Sequence, residues 1–173
     1  FTLLLLIIIL VYVVMASQFE SLLDPFVIMF SVPFAIVGVL IGITVHGMAL
    51  DVMALIGILI LVGIVVKNGI VLIDYAILCH DRGMDINTAV TTASRQRLRP
   101  ILMTTLTTVL GMVPMAMGSG EGAEMWNGLG ITVSWGLSVS TLITLILIPT
   151  LYAAFVSRRE KRQAKRETKR INN

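Results

Sequence analysis

Apolar residues run almost unbroken through five stretches: 1–16, 26–45, 52–78, 100–117 and 129–156. Polar residues collect between them, at 17–25, 46–51, 79–99 and 118–128, and from Ser157 to the end. A helix needs about 20 mostly apolar residues to cross the hydrocarbon core, and the last four stretches have that length. The first is shorter and is expected to be a membrane helix whose beginning lies upstream. Within lipid each stretch must be helical, because a lone strand leaves its backbone groups unpaired. The pattern predicts an all-α, polytopic transmembrane helix bundle with five membrane spans.

One connection has a pattern of its own. In 79–99, Asp85 is placed to cap a helix on which Ile86, Ala89, Val90 and Ala93 recur at helical spacing. A short amphipathic helix at the inner membrane surface is expected there, followed by Arg95, Arg97 and Arg99 at phosphate level. Pro100 then suits the first turn of the next span. Inside the spans, Gly38 with Gly42, Gly130 with Ser134 and Gly136 with Ser140 form small-residue pairs of the kind that let helices approach closely.

Composition agrees with a membrane protein: 57% of the 173 residues are hydrophobic and 13% are charged, against about 25% charged in soluble domains. The net charge of +3 says less than its distribution. Eight of the 13 Lys and Arg residues lie between Arg158 and Arg170, and Arg82, Arg95, Arg97 and Arg99 share the 79–99 segment. An alternating path puts every one of these on one face of the membrane, which the positive-inside rule makes cytoplasmic. Residues 157–173 are then a basic cytoplasmic tail, and the charge reports orientation instead of nucleic-acid binding. The single cysteine, Cys79, excludes an internal disulfide framework and a multi-cysteine metal site.

The remaining basic residue, Lys67, sits deep in the third span, with Asn68 beside it and Asp74 seven residues on. A charge at that depth costs about 2.5–3.5 kcal/mol on insertion scales. Seven residues bring Lys67 and Asp74 to one helix face but about 10 Å apart along the axis, too far for an ion pair. Lys67 therefore needs an acid on another helix. Glu20, Asp24, Asp51, Glu121 and Glu124 all belong to connections, so that acid is expected outside this chain. A lysine snorkelling to the inner surface is the alternative. In the fourth span Thr104, Thr107, Thr108 and Gly111 make a polar stripe, which could pack against a neighbouring helix or border a proton path.

Other candidates are weaker. The glycine-rich Gly118–Gly122 lacks the Lys-Ser/Thr of a phosphate cradle. His46 and His80 lie in different connections. Ten methionines, with Met112, Met115 and Met117 close together, suit gap-filling as well as soft-metal handling. No Ser-His-Asp or paired-carboxylate arrangement is visible, so no enzyme activity, metal or cofactor is expected.

Gly63-Ile-Val-Val-Lys-Asn-Gly-Ile-Val-Leu-Ile-Asp-Tyr closely resembles the tenth membrane helix of the resistance–nodulation–division (RND) superfamily, in its hydrophobe/amphiphile multidrug-efflux branch. Arg97-Leu-Arg-Pro-Ile-Leu-Met-Thr-Thr, with Gly111-Met-Val-Pro downstream, is similar to the eleventh helix, and Glu20-Ser-Leu-Leu-Asp-Pro-Phe with Val32-Pro-Phe-Ala-Ile-Val-Gly to the entry into the ninth. The resemblance covers 1–156 and implies helices eight to twelve of a proton-driven drug exporter in a bacterial inner membrane. It implies a homotrimer, a periplasmic adaptor and an outer-membrane channel in Gram-negative cells, and a relay in which Lys67 pairs with two aspartates of an absent fourth helix. Arg97 and Thr104 belong to that relay by the same resemblance, and Asn68 and Asp74, on the helix of its lysine, are counted in the proton relay with them. Asp74 stands where the family more often has Glu. A heavy-metal exporter of the same superfamily and a non-transporting membrane scaffold are the alternatives.

Overall fold

The computed structural model describes residues 2–120 and 122–171, except for the side chains of 3, 4, 124 and 159–171. Glu121, the side chain of Glu124 and the tail's basic side chains beyond Arg158 thus lie outside the described residues. Six helices follow in order: α1 (Thr2–Phe19), α2 (Leu23–Met29), α3 (Val32–His46), α4 (Val52–Asp81), α5 (Ile86–Ala116) and α6 (Ala123–Ile171). Among the described residues there is no strand. Four helical segments are long and apolar enough to cross a membrane: Leu23–His46, Val52–Asp81, Ile86–Ala116 and Met125–Arg158; Leu5–Phe19 is a shorter apolar helix. This is a helical membrane bundle.

Local chemistry sets the helix ends. Asp51 caps α4 by accepting the Ala54 N–H at 2.7 Å, supplying a partner to an otherwise orphaned donor. At the other end Gly83 takes φ +89°, a left-handed conformation that costs glycine little, and its N–H returns to His80 O at 2.9 Å. Asp85 starts α5 by accepting from Asn87 N at 3.2 Å. The second apolar stretch is divided at Phe30–Ser31 into α2 and α3. Pro33 has no N–H to give the preceding turn, and the fully buried Ser31 hydroxyl donates to the Ile28 carbonyl at 2.6 Å.

The amphipathic helix of 86–99 exists, but it is not a separate element on the membrane surface. It continues without a break through Pro100 into the fourth span, giving a 31-residue α5 about 46 Å long at 1.5 Å per residue. Its apolar stripe explains the difference: Ile86, Val90 and Ala93 join the main core cluster with Ile73 and Ala76 of α4. The stripe is covered by protein, not by headgroups. Pro100 consequently sits in the helix interior, where it withholds one backbone donor.

Helix α6 is the hub, packing against α3, α4 and α5, while α1 packs on α2. Small residues make the closest approaches. A Cβ at Gly38 would stand 2.8 Å from Val139 Cβ and 3.0 Å from the Gly136 backbone, and one at Gly42 would meet Trp135 Cβ at 2.6 Å. Gly136 in turn receives the Leu61 side chain from α4, and Gly130 faces the Ala116 backbone at the end of α5. The small-residue pairs seen in the sequence are therefore the seams on which α6 holds its neighbours.

Candidate functional site

Helix α4 has two faces with different duties. Gly57, Leu61, Val65, Asn68, Leu72 and Ala76 are buried against the rest of the bundle. On the other side Ile56, Ile60, Gly63, Lys67, Asp74 and Leu78 are exposed, at spacings that trace one stripe along the helix. A Cβ at Gly63, one turn before Lys67, would meet nothing within 4 Å. Lys67 therefore occupies an open face of the bundle, and among the described residues no ion pair or hydrogen bond reaches its ammonium.

The five residues singled out in the sequence do not form one cluster within this chain. Lys67 and Asp74 share the open stripe, as their spacing requires. Asn68, one residue on and so about 100° around the helix, is 8% exposed and belongs to the buried face. Thr104 is exposed on α5, and its hydroxyl donates to the Pro100 carbonyl at 2.9 Å. Thr108 does the same to Thr104 O at 2.8 Å. Two hydroxyls of the polar stripe, Thr104 and Thr108, thus turn back to their own helix, one of them to the carbonyl of the interior proline. The neighbouring threonine of α5, Thr105, does cross between helices: its hydroxyl is buried and 3.1 Å from that of Thr141 of α6. It lies just beside the stripe and carries no sequence signal that sets it apart from Thr104.

Arg97 is tied to α4 through an aromatic ring. Its guanidinium carbon lies 4.7 Å from the centroid of Tyr75, within the range of a cation–π contact. Its Nε is buried without a hydrogen-bond partner. The Tyr75 hydroxyl donates to Gln96 Oε1, so two consecutive residues of α5 hold the face and the hydroxyl of one ring. This clasp places Arg97 beside the residue that follows Asp74. The Asp-Tyr pair could be read from the sequence as an acidic–aromatic dipeptide; the partnership with Gln96 could not. The two histidines have local partners: His46 Nδ1 lies 3.0 Å from Gly42 O, and His80 Nδ1 3.1 Å from Met84 O.

Comparisons with known proteins identify the family of this bundle. The model of the AcrB/AcrD/AcrF family matches residues 1–156. The chain belongs to this family, and with it to the RND superfamily. Swarming motility protein SwrC of Bacillus subtilis (strain 168) is 41% identical over 158 residues, 91% of this chain and 15% of SwrC. Multidrug resistance protein MdtC of Erwinia tasmaniensis is 43% identical over 143 residues, 82% of this chain and 14% of that protein. MdtC of Proteus mirabilis is 39% identical over 164 residues, 94% of this chain and 16% of it. Among solved structures, the crystal structure of a heavy metal efflux pump superposes with a TM-score of 0.81 at 31% identity, over 90% of this chain and 15% of that one. The chain thus spans about one-seventh of the length of these AcrB/AcrD/AcrF-family relatives. The family is one of efflux transporters, and this chain is membrane portion of such a fold.

Proposed function

We propose that this chain is the C-terminal membrane portion of a proton-driven RND exporter of drugs or other amphiphiles, with Lys67 as the electrostatic switch of its proton relay. The observation that carries the reading is the placement of Lys67: at mid-span, on the open stripe of α4, with no carboxylate partner among the described residues. A charge without a partner is too costly to keep at that depth in the membrane. The face must therefore meet acids supplied by the remainder of the transporter. Protonating those acids removes their charge and releases Lys67. A pair at about 4 Å is worth about 4 kcal/mol at an effective dielectric of 20, and one proton moving down about 100 mV supplies about 2.3 kcal/mol. About two protons per cycle at that potential therefore suffice to switch the pairing.

Arg97 and Thr104 are assigned supporting roles, Arg97 as a second cation held by the Tyr75 clasp and Thr104 as a hydroxyl on the face of α5. Asn68 acts from the buried side of α4, and Asp74 shares the open stripe with Lys67. The reading includes the bacterial inner membrane with the tail from Ser157 cytoplasmic, a homotrimer, and an adaptor and outer-membrane channel in Gram-negative cells. Heavy-metal export is the second reading, favoured by the structural likeness to a heavy metal efflux pump. Export by the full-length protein of a fluorescent cationic dye, compared between native and Lys67→Ala, tests the proposal. Loss of export at unchanged membrane level supports it; undiminished export overturns the relay. Survival of metal resistance alone, with no dye export by the native protein, moves the substrate class to the second reading.

A further inference from the structure

At the arginine-bearing end of the bundle a cavity of about 210 Å³ opens between α1, α2, α4 and α6. Its walls are apolar, from Phe19, Leu23, Val27, Ile77, Phe155 and Val156. Two polar side chains interrupt them: Asp24 and Tyr152. Tyr152 is 5% exposed, and among the described residues its hydroxyl has no hydrogen-bond partner. Asp24 is half-buried and likewise has neither an ion pair nor a hydrogen bond among the described residues. Asp24 and Asp81 are the charges that act on the Tyr152 hydroxyl, and no basic residue lines the cavity.

The Tyr152 hydroxyl opens into the cavity with no protein partner among the described residues, and a half-buried carboxylate in an apolar wall carries a desolvation cost that a cationic partner would offset. Tyr152 is needed for neither the Lys67 stripe nor the α6 seams, so its open hydroxyl is unexplained by the export reading. The height of the cavity is informative. Asp24 sits in the first turn of α2, at the start of the crossing segment Leu23–His46, and Tyr152 lies near the end of the segment Met125–Arg158. Both thus lie towards the same end of the crossing segments, the end at which headgroups are expected.

We propose that this cavity binds the ethanolamine headgroup of a membrane phospholipid. Asp24 accepts from the ammonium, whose N–H groups match a carboxylate acceptor. The Tyr152 O–H donates to a phosphate oxygen of the same headgroup, and the apolar walls cover the first carbons of the chains. Choline carries no N–H to donate, and an anionic glycerol headgroup would be repelled by Asp24 and Asp81, so the charge pattern selects ethanolamine. The proposal goes beyond the export reading and does not depend on it, because binding is read without transport.

The test is native mass spectrometry of the purified full-length protein with phosphatidylethanolamine, phosphatidylcholine or phosphatidylglycerol added in turn. The native protein is expected to retain phosphatidylethanolamine about tenfold better than phosphatidylcholine, the scale of one charge-assisted hydrogen bond. Asp24→Asn should abolish that preference while Asp24→Glu keeps it, and Tyr152→Phe should lower the retention of phosphatidylethanolamine and phosphatidylcholine alike, since both carry the phosphate. Tyr152→Phe preserves the packing volume, so it carries the test if Asp24→Asn does not fold. Equal retention of the lipids by the native protein overturns the proposal. So does a preference that survives Asp24→Asn, retention of both lipids unchanged by Tyr152→Phe, or retention of dodecylamine without phosphatidylethanolamine.

Discussion

The polar residues of this chain divide by the direction in which they point, and that direction decides which of them can matter for coupling. Thr104 and Thr105 are neighbours of the same type, yet one faces outward and bonds its own helix while the other bridges to Thr141. Thr105→Val should therefore destabilise the full-length protein by about 1 kcal/mol, because it leaves the Thr141 hydroxyl unpaired. Adding Thr141→Val should restore part of the loss, and denaturant titration of both variants would show it. For Arg97 the ring of Tyr75 matters as well as the charge. Tyr75→Ala should lower export even though it removes no charge, whereas Tyr75→Phe, which keeps the ring and loses only the contact with Gln96, should retain most of it. Equal losses in the two variants, at matched membrane levels, would mean that the hydroxyl and not the ring positions Arg97. The spacing of Lys67 and Asp74 was readable before any coordinates, since it follows from helix geometry alone. The burial of Asn68 was not, because which side of α4 meets α6 depends on where Gly136 admits Leu61.

At the scale of elements, the spans were legible because a run of about 20 apolar residues has few other structural outcomes. Their continuity was harder to read. Pro100 after three alternating arginines looks like a helix start, and the merger of 86–99 with the fourth span depends on Ile86, Val90 and Ala93 finding protein to cover them. The division at Ser31 was likewise hidden, since Pro33 in a membrane helix is compatible with a kink or an uninterrupted path. The seam between α3 and α6 gives a sharp prediction. Gly38→Ala places a methyl against Val139 and the Gly136 backbone, an overpacked contact expected to cost about 1–3 kcal/mol. Gly111→Ala on α5 meets nothing within 4 Å in this chain and serves as the contrast. Detergent-resistance and thermal-unfolding profiles should show a lower midpoint for the first than for the second.

On the scale of the whole molecule, the charge distribution predicts an orientation, and the open face of α4 is where the proposed partner would sit. If the arginine-bearing end is cytoplasmic, a reporter fused after Asn173 is active only inside the cell and protected from protease added outside; accessibility from outside would reverse the topology. The exposed stripe around Lys67 belongs to a chain that spans about one-seventh of its relatives, so the acids that would face it are sought in the remainder of the transporter. The central claim is that Lys67 couples proton movement to export. Its most direct measurement is proton entry into vesicles containing the full-length protein, followed with a trapped pH-sensitive dye while substrate is transported. Substrate-dependent acidification by the native protein and none by Lys67→Ala is the predicted result. Equal acidification by both would contradict the account.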